Sequence, residues 1–93
     1  MTLLDRARRE LRIASNAFDA EIQDLLDAAA LDLQQVNIRA DAISDPDALV
    51  RRALLTYVKA HFGWDNPDHE RLVNSYTGIK QHLRLSKEYS NAD

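Results

Sequence analysis

Two histidines and an aspartate have the spacing that comes nearest to a metal site in this chain. His61, Asp65 and His69 stand at intervals of four positions. Side chains at that spacing on one continuous helix share a face. Gly63 and Pro67 fall between them and predict that the helix is broken. We therefore expect no metal site and no cofactor, with one histidine partly buried and the other exposed near a helix start.

Other catalytic side chains occur without the patterns that their chemistry needs. The sequence contains no cysteine, which excludes disulfides, thiolate nucleophiles and thiolate metal sites. Its two glycines are isolated, so neither a phosphate-binding glycine loop nor a glycine-flanked serine turn is expected. The carboxylates fall on predicted solvent faces or at helix starts, where they complement the helix dipole. These patterns predict a protein that is not an enzyme.

Basic residues form clusters that are open to two interpretations. The clusters are Arg6, Arg8, Arg9 and Arg12, then Arg51 and Arg52, then Lys80, Arg84 and Lys87. Either they are solvated faces and ion-pair partners, or they contact an acidic protein surface or passing DNA. A net charge of −3 argues against a dedicated nucleic-acid binder, whose affinity depends on neutralising phosphates. No turn-linked pair of helices offers a basic, polar recognition surface either.

The composition predicts one folded helical domain. The chain has 93 residues, 45% of them hydrophobic and 29% charged, and its apolar residues recur at helical spacing. No run of about 18 apolar residues occurs, and the N-terminus becomes charged after its first leucines, so neither a membrane span nor a signal peptide is expected. The expected fold is all-α, a compact bundle of one short and three longer helices over residues 1–85, with a flexible C-terminal tail over 86–93.

Capping residues predict where the first two helices begin. The first is expected over residues 3–12, with Thr2 as N-cap and Asp5 three positions later in a capping box. The second is expected to start after Ser15 or Asn16 and to run to about residue 36. Its apolar stripe begins with Phe18, and its opposite side is acidic. Residues 37–45 lack periodicity and are expected to form a loop with a short extended piece.

The third and fourth helices each open on a cap followed by proline. Asp45 and Pro46 predict the start of the third helix, which is expected to end near Phe62. Its apolar residues cover more than half of its circumference, which is typical of a central helix that also contacts a neighbouring subunit. Asn66 and Pro67 predict the start of the fourth helix, which is expected to end near residue 85.

Four segments, in this order, resemble a known family. They are LLDRARRELRI, FDAEIQDLLDAAALDL, DPDALVRRALLTYVKAHFGWDNP and RLVNSYTGIKQHL. Together they are similar to the small head-tail connector proteins, or DNA-packaging adaptors, of tailed phages and prophages. The similarity covers nearly the whole chain and lies in helix order and apolar positions, with residues 53–67 the most distinctive part.

This resemblance implies a structural subunit of the virion, made in the bacterial cytoplasm and located at the head-tail junction. Such a subunit would form a ring of about a dozen copies beneath the portal protein. The ring would extend the DNA channel and dock tail or stopper proteins after packaging, with at most non-specific passage of DNA. A generic helical module that binds one partner helix in a groove is the main alternative, and a DNA-binding regulator is the third.

A ring requires two different contact patches on each subunit. We expect one patch to include Leu55, Phe62 and Trp64, although Trp64 could equally cap the protomer core. The second is expected on the first or second helix, around Leu31. The remaining candidate contacts for subunits or partners are Arg51, Arg52 and Tyr89, the last of which belongs to a tail that would become ordered on the portal or on a neighbouring subunit.

Overall fold

A computed structural model of the chain describes residues 1–91, and within them the fold is all-helical, as predicted. The helices are α1 (Leu3–Glu10), α2 (Asp19–Gln35), α3 (Ala40–Ser44), α4 (Ala48–His61) and α5 (His69–Leu85). The β-structure of this part is one isolated antiparallel bridge between Ile38 and Ser90. The last two residues of the predicted tail, 92 and 93, lie outside the described residues.

The predicted capping box starts α1. The Thr2 hydroxyl accepts a hydrogen bond from the amide of Asp5, and the Asp5 carboxylate accepts one from the amide of Thr2, each at 3.1 Å. The helix ends two residues earlier than predicted because Arg12 adopts a left-handed φ of 59°. The amide of Ile13 then donates to the carbonyl of Arg8, which closes the helix in the manner of a Schellman turn.

Helix α2 starts later than the sequence predicts. Its N-cap is Phe18, which provides no side-chain cap, while the hydroxyl of Ser15 accepts a long hydrogen bond from Ala17 within the preceding turn. Phe18 therefore stands outside the buried stripe and is exposed. The stripe itself is confirmed by the burial of Ile22, Leu26, Ala29 and Leu33.

The segment predicted as a loop contains the short helix α3. Ile43 is its one buried residue, and α3 packs on α2 and α4. A helix of five residues is too short to show a recognisable apolar period, so the sequence did not reveal it. The expected extended piece is present at Ile38, which is buried and forms the bridge to Ser90.

Helix α4 is capped by Asp47 rather than by the predicted Asp45. One carboxylate oxygen of Asp47 accepts the amides of Leu49 and Val50, each at 3.0 Å. Asp45 instead ends α3, where its amide donates to the carbonyl of Asp41. In the sequence Asp-Pro-Asp, aspartate at either position is suited to cap a helix. Because Asp45 ends α3, Asp47 caps α4.

Helix α4 is the centre of the fold. Helices α1, α2, α3 and α5 all pack against it. Its buried residues are Val50, Ala53, Leu54, Leu55, Val58 and Ala60. The protomer's own helices therefore cover the wide apolar surface from which the sequence predicted contact with a neighbour.

The turn between α4 and α5 uses Asn66 in an unexpected way. Gly63 ends α4 with a φ of 83°, as its position predicted. The side-chain amide of Asn66 donates to the carbonyl of Lys59 at 2.7 Å, and its oxygen accepts the amide of Asp68 at 3.0 Å. Asn66 thus ties the end of α4 to the approach of α5, which begins at His69 rather than at the predicted Pro67.

The described part of the predicted flexible tail, residues 86–91, lies against the helices. The amide of Arg39 donates to the carbonyl of Tyr89 at 2.8 Å, and the amide of Asn91 donates to the carbonyl of Asn37 at 3.1 Å. Tyr89 also packs on the hydrophobic core. These bonds hold the segment beside the α2–α3 connection, where the sequence predicted no attachment within the protomer.

Candidate interaction surfaces

A basic groove opens where α1, α4 and α5 meet, with a volume of about 400 Å³. Helix α4 supplies Ala48, Arg52, Leu55 and Lys59 to it, and their spacing places them on one helix face. Leu55, predicted as a subunit contact, is only 9% exposed and belongs to the core. The groove is further lined by Arg6 and Glu10 of α1, by Arg51 and Thr56 of α4, and by Arg71, Leu72 and Ser75 of α5.

The charge of this basic groove is largely uncompensated. Five of its lining residues are basic, whereas Glu10 is its one acidic residue. The Lys59 ammonium lies 4.0 Å from Glu10, and the Arg71 guanidinium lies 3.6 Å from Asp68 outside the groove. Surface ion pairs at such distances contribute little stabilisation. Among residues 1–91, Arg6, Arg51 and Arg52 form no ion pair, so the structure joins two basic clusters that the sequence showed separately.

The outer side of α2 forms an acidic ridge, defined by Glu21, Asp24, Asp27 and Leu31. All four residues are exposed, and Leu31, a predicted contact, is 57% exposed. Asp27 accepts a hydrogen bond from the side chain of Gln23 at 2.9 Å. The acidic ridge therefore places an apolar side chain beside carboxylates on one helix.

Phe18 precedes α2, and Phe62 and Trp64 follow α4; we call these three residues the aromatic end. The rings of Phe18 and Phe62 meet edge to face with centroids 5.7 Å apart. Phe62, a predicted contact, is half-buried by packing on the core, whereas Trp64 is fully exposed. Of the two alternatives that the sequence left open for Trp64, the structure excludes a role as core cap. The exposure of Phe18 could not be anticipated, because its position fitted the buried stripe.

Tyr89, a further predicted contact, is bound within the protomer. Its hydroxyl donates to the Asp47 carboxylate at 2.6 Å. This bond, together with those from the amides of Val50 and Leu49, lowers the pKa of Asp47 below its ordinary value. The same bond raises the pKa of Tyr89 to about 12. One carboxylate thus serves both as the cap of α4 and as the anchor of the tail.

His61 and His69 lie side by side despite the break in the helix between them. Their ring centroids are 5.3 Å apart, and the His61 ring also lies 4.4 Å, centroid to centroid, from the tilted ring of Tyr57. The Nδ1 atom of His69 lies 2.6 Å from the carbonyl of Ala60 and must donate to it. Burial, followed by the proximity of His69, lowers the pKa of His61. Residues 1–91 contain no group of three side chains suited to hold a metal ion.

Comparisons with known proteins identify the family. The chain matches the family model described as phage connector protein over residues 3–90. No curated protein and no solved structure matches it. Within residues 1–91, no helix is both long and apolar enough to cross a membrane. Phage connector proteins are structural components of the virion, and the match covers nearly every residue that the structure describes. The chain therefore belongs to the phage connector protein family.

Proposed function

We propose that the protein is a head-tail connector subunit that assembles as a ring beneath the portal protein of a tailed phage or prophage. The ring extends the DNA channel and provides a docking surface for tail or stopper proteins after packaging. The observation that carries this proposal is the family match over residues 3–90. The matched residues include all five helices and most of the C-terminal segment that lies against them.

The surface of the protomer supports a role in assembly. The chain buries its core within a single copy and still exposes a basic groove, an acidic ridge and an aromatic end. Several chemically different surfaces on one small domain suit a subunit that must contact its own copies and other proteins. A net charge of −3 also suits a conduit through which DNA slides without strong binding.

The aromatic end is the surface that we assign to docking of the portal, tail or stopper protein. Trp64 is the most exposed large apolar side chain among the described residues. It follows the helix-ending Gly63 and stands two positions after the half-buried Phe62. Tryptophan is enriched among the residues that dominate binding energy in protein interfaces. A fully exposed indole two residues after the packed Phe62 ring is therefore a suitable anchor.

Electron microscopy of the protein mixed with the portal protein of the same phage tests this function. The expected result is an additional ring, coaxial with the portal, with a channel along the common axis. Portal alone is the control. Binding of scattered single copies would contradict the ring and favour a helical interaction module, and the absence of any binding to the portal would contradict the connector role.

A further inference from the structure

We propose that the acidic ridge of one subunit lies in the basic groove of the next, so that this contact closes the ring. This inference rests on the proposed function, because it names the partner of the basic groove as a second copy of the same chain. It goes beyond that function by assigning Leu31, Asp24 and Asp27 of one copy to Leu55, Arg52 and Arg71 of its neighbour.

The two surfaces lie on different sides of the central helix. Helix α2 packs with its buried stripe toward α4, where Leu54 borders the same pocket as Leu26 and Ala30. The acidic ridge is on the outer side of α2, where Asp27 stands at the rim of this pocket and Glu21, Asp24 and Leu31 lie outside it. The basic groove opens on another side of α4, between α1 and α5. Each copy can therefore use both surfaces at once, which a ring requires.

The surfaces are complementary in charge. The basic groove carries Arg6, Arg51, Arg52, Lys59 and Arg71 against Glu10 alone. The acidic ridge presents the exposed carboxylates of Glu21, Asp24 and Asp27. Contact between a ridge and a groove brings opposite charges together, whereas contact between two grooves or between two ridges is repulsive.

The surfaces also agree in length and in apolar character. Glu21 to Leu31 spans about 15 Å of helix, and Ala48 to Lys59 along the groove spans about 16 Å. The groove floor contains Leu55 and Leu72, which are each 9% exposed. Leu31 is an exposed leucine on the facing helix and would be buried on that floor. An apolar contact surrounded by charges is the usual arrangement of a protein interface.

This pairing joins two different patches and is therefore heterologous. Heterologous contacts produce rings when the rotation between copies closes and open filaments when it does not. A basic groove could also bind DNA phosphates, which need only cations. The apolar floor and the exposed leucine have no role in such binding, so they favour a protein occupant.

Exchange of charges between the two surfaces tests the contact. A groove variant carries Arg52→Glu and Arg71→Glu, and a ridge variant carries Asp24→Arg and Asp27→Arg. These side chains are exposed, and helix content measured by circular dichroism should equal that of the unmodified chain. We expect each variant alone to lose ring formation on the portal in electron micrographs, because like charges then face each other.

An equal mixture of the two variants should recover rings. In the mixture, the unmodified ridge of one variant meets the unmodified groove of the other, and the two reversed surfaces meet each other. Recovery by mixing is specific to a heterologous contact between these patches. The matched control is Arg84→Glu with Lys87→Glu, which changes the net charge as the groove variant does but lies outside the groove. This control should form rings as the unmodified chain does.

The remaining outcomes separate this contact from the proposed function. Rings formed by the unmodified chain and by both variants alone would overturn the contact and leave the connector role standing. Failure of the mixture to recover rings would also overturn it. Failure of the unmodified chain to form rings on the portal would overturn the proposed function itself. Tight binding of duplex DNA that the groove variant loses, with rings unaffected, would assign the groove to nucleic acid instead.

Discussion

Tyr76 of α5 donates a hydrogen bond from its hydroxyl to the Asp32 carboxylate of α2 at 2.5 Å, across residues 44 positions apart in sequence. Lys80, one turn further along α5, reaches the same oxygen at 3.1 Å. Burial, followed by the bond to Asp32, raises the pKa of Tyr76, so its hydroxyl remains a donor. Tyr76 and Lys80 thus tie α5 to α2 through one carboxylate.

Tyr76→Phe should lower the free energy of unfolding by about 1–2 kcal/mol, because it removes a part-buried hydrogen bond to a charged group. The measurement is urea denaturation followed by circular dichroism. Tyr57→Phe is the matched control, since its hydroxyl has no hydrogen-bond partner among residues 1–91. Equal destabilisation by the two variants would show that the Asp32 bond contributes nothing.

Leu55 and Trp64, which the sequence assigned to one contact patch, should respond to alanine in opposite ways. Leu55→Ala should lower the free energy of unfolding by about 2–4 kcal/mol, because it opens a cavity in the core. Trp64→Ala should change that free energy by less than about 0.5 kcal/mol, because the indole is fully exposed.

Trp64→Ala also tests docking, because this variant should leave the stability of the fold unchanged. If the aromatic end binds the portal, tail or stopper protein, Trp64→Ala should weaken that binding by at least about tenfold. Binding measured by surface plasmon resonance on immobilised portal, and on immobilised tail or stopper protein, provides the comparison. Unchanged binding to all of them would remove Trp64 from the docking surface.

The two glycines should also give opposite results. Gly78 lies inside α5, and a Cβ atom there would meet no atom within 4 Å beyond the adjoining backbone of its own helix, so Gly78→Ala should stabilise the protein by about 0.5–1 kcal/mol. Gly63 has a positive φ of 83°, and Gly63→Ala should destabilise it by about 1–2 kcal/mol. Thermal unfolding measures both. Destabilisation by Gly78→Ala would mean that α5 requires the freedom of glycine at that position.

The sequence predicted the features of the fold that depend on local chemistry. The Thr2–Asp5 capping box, the buried stripe of α2 and the helix-ending Gly63 all follow from residue types at fixed spacing. The prediction that Asp45 caps α4 was wrong, because Asp47 is the cap. That choice depends on α3, whose single buried Ile43 gives too weak a period to be recognised.

The candidate interaction surfaces were harder to predict from the sequence than the helix caps, because they depend on tertiary structure. Leu31 was predicted as a contact on the second helix, and the structure shows it exposed, off the buried stripe of that helix. The basic groove was not anticipated, because Arg6, Arg52 and Arg71 come from three helices. Leu55 was assigned to a subunit contact because α4 has more apolar residues than one helix face needs. The tertiary structure shows that the other helices of the same protomer cover these residues.

The bond between Tyr89 and Asp47 should make attachment of the tail sensitive to pH at both extremes. The pKa of Asp47 is lowered from 3.8 in the folded protein, so the bond stabilises the fold above pH 3.8 and is lost as the pH falls below that value. The pKa of Tyr89 is raised from 10.0 to about 12, so the contribution of its neutral hydroxyl is complete below pH 10.0 and is lost as the pH rises to about 12.

Tyr89→Phe tests this attachment directly. Without the hydroxyl, the carbon NMR titration of the Asp47 carboxyl should move upward toward 3.8, because its largest stabilising bond is gone. Trypsin at neutral pH should also cleave faster after Lys87, since release of the tail exposes that bond. Tyr57→Phe serves as the control and should change neither measurement. Should the Asp47 titration and the cleavage rate both stay as in the unmodified chain, the backbone bonds of Tyr89 and Asn91 would hold the tail without the side-chain bond.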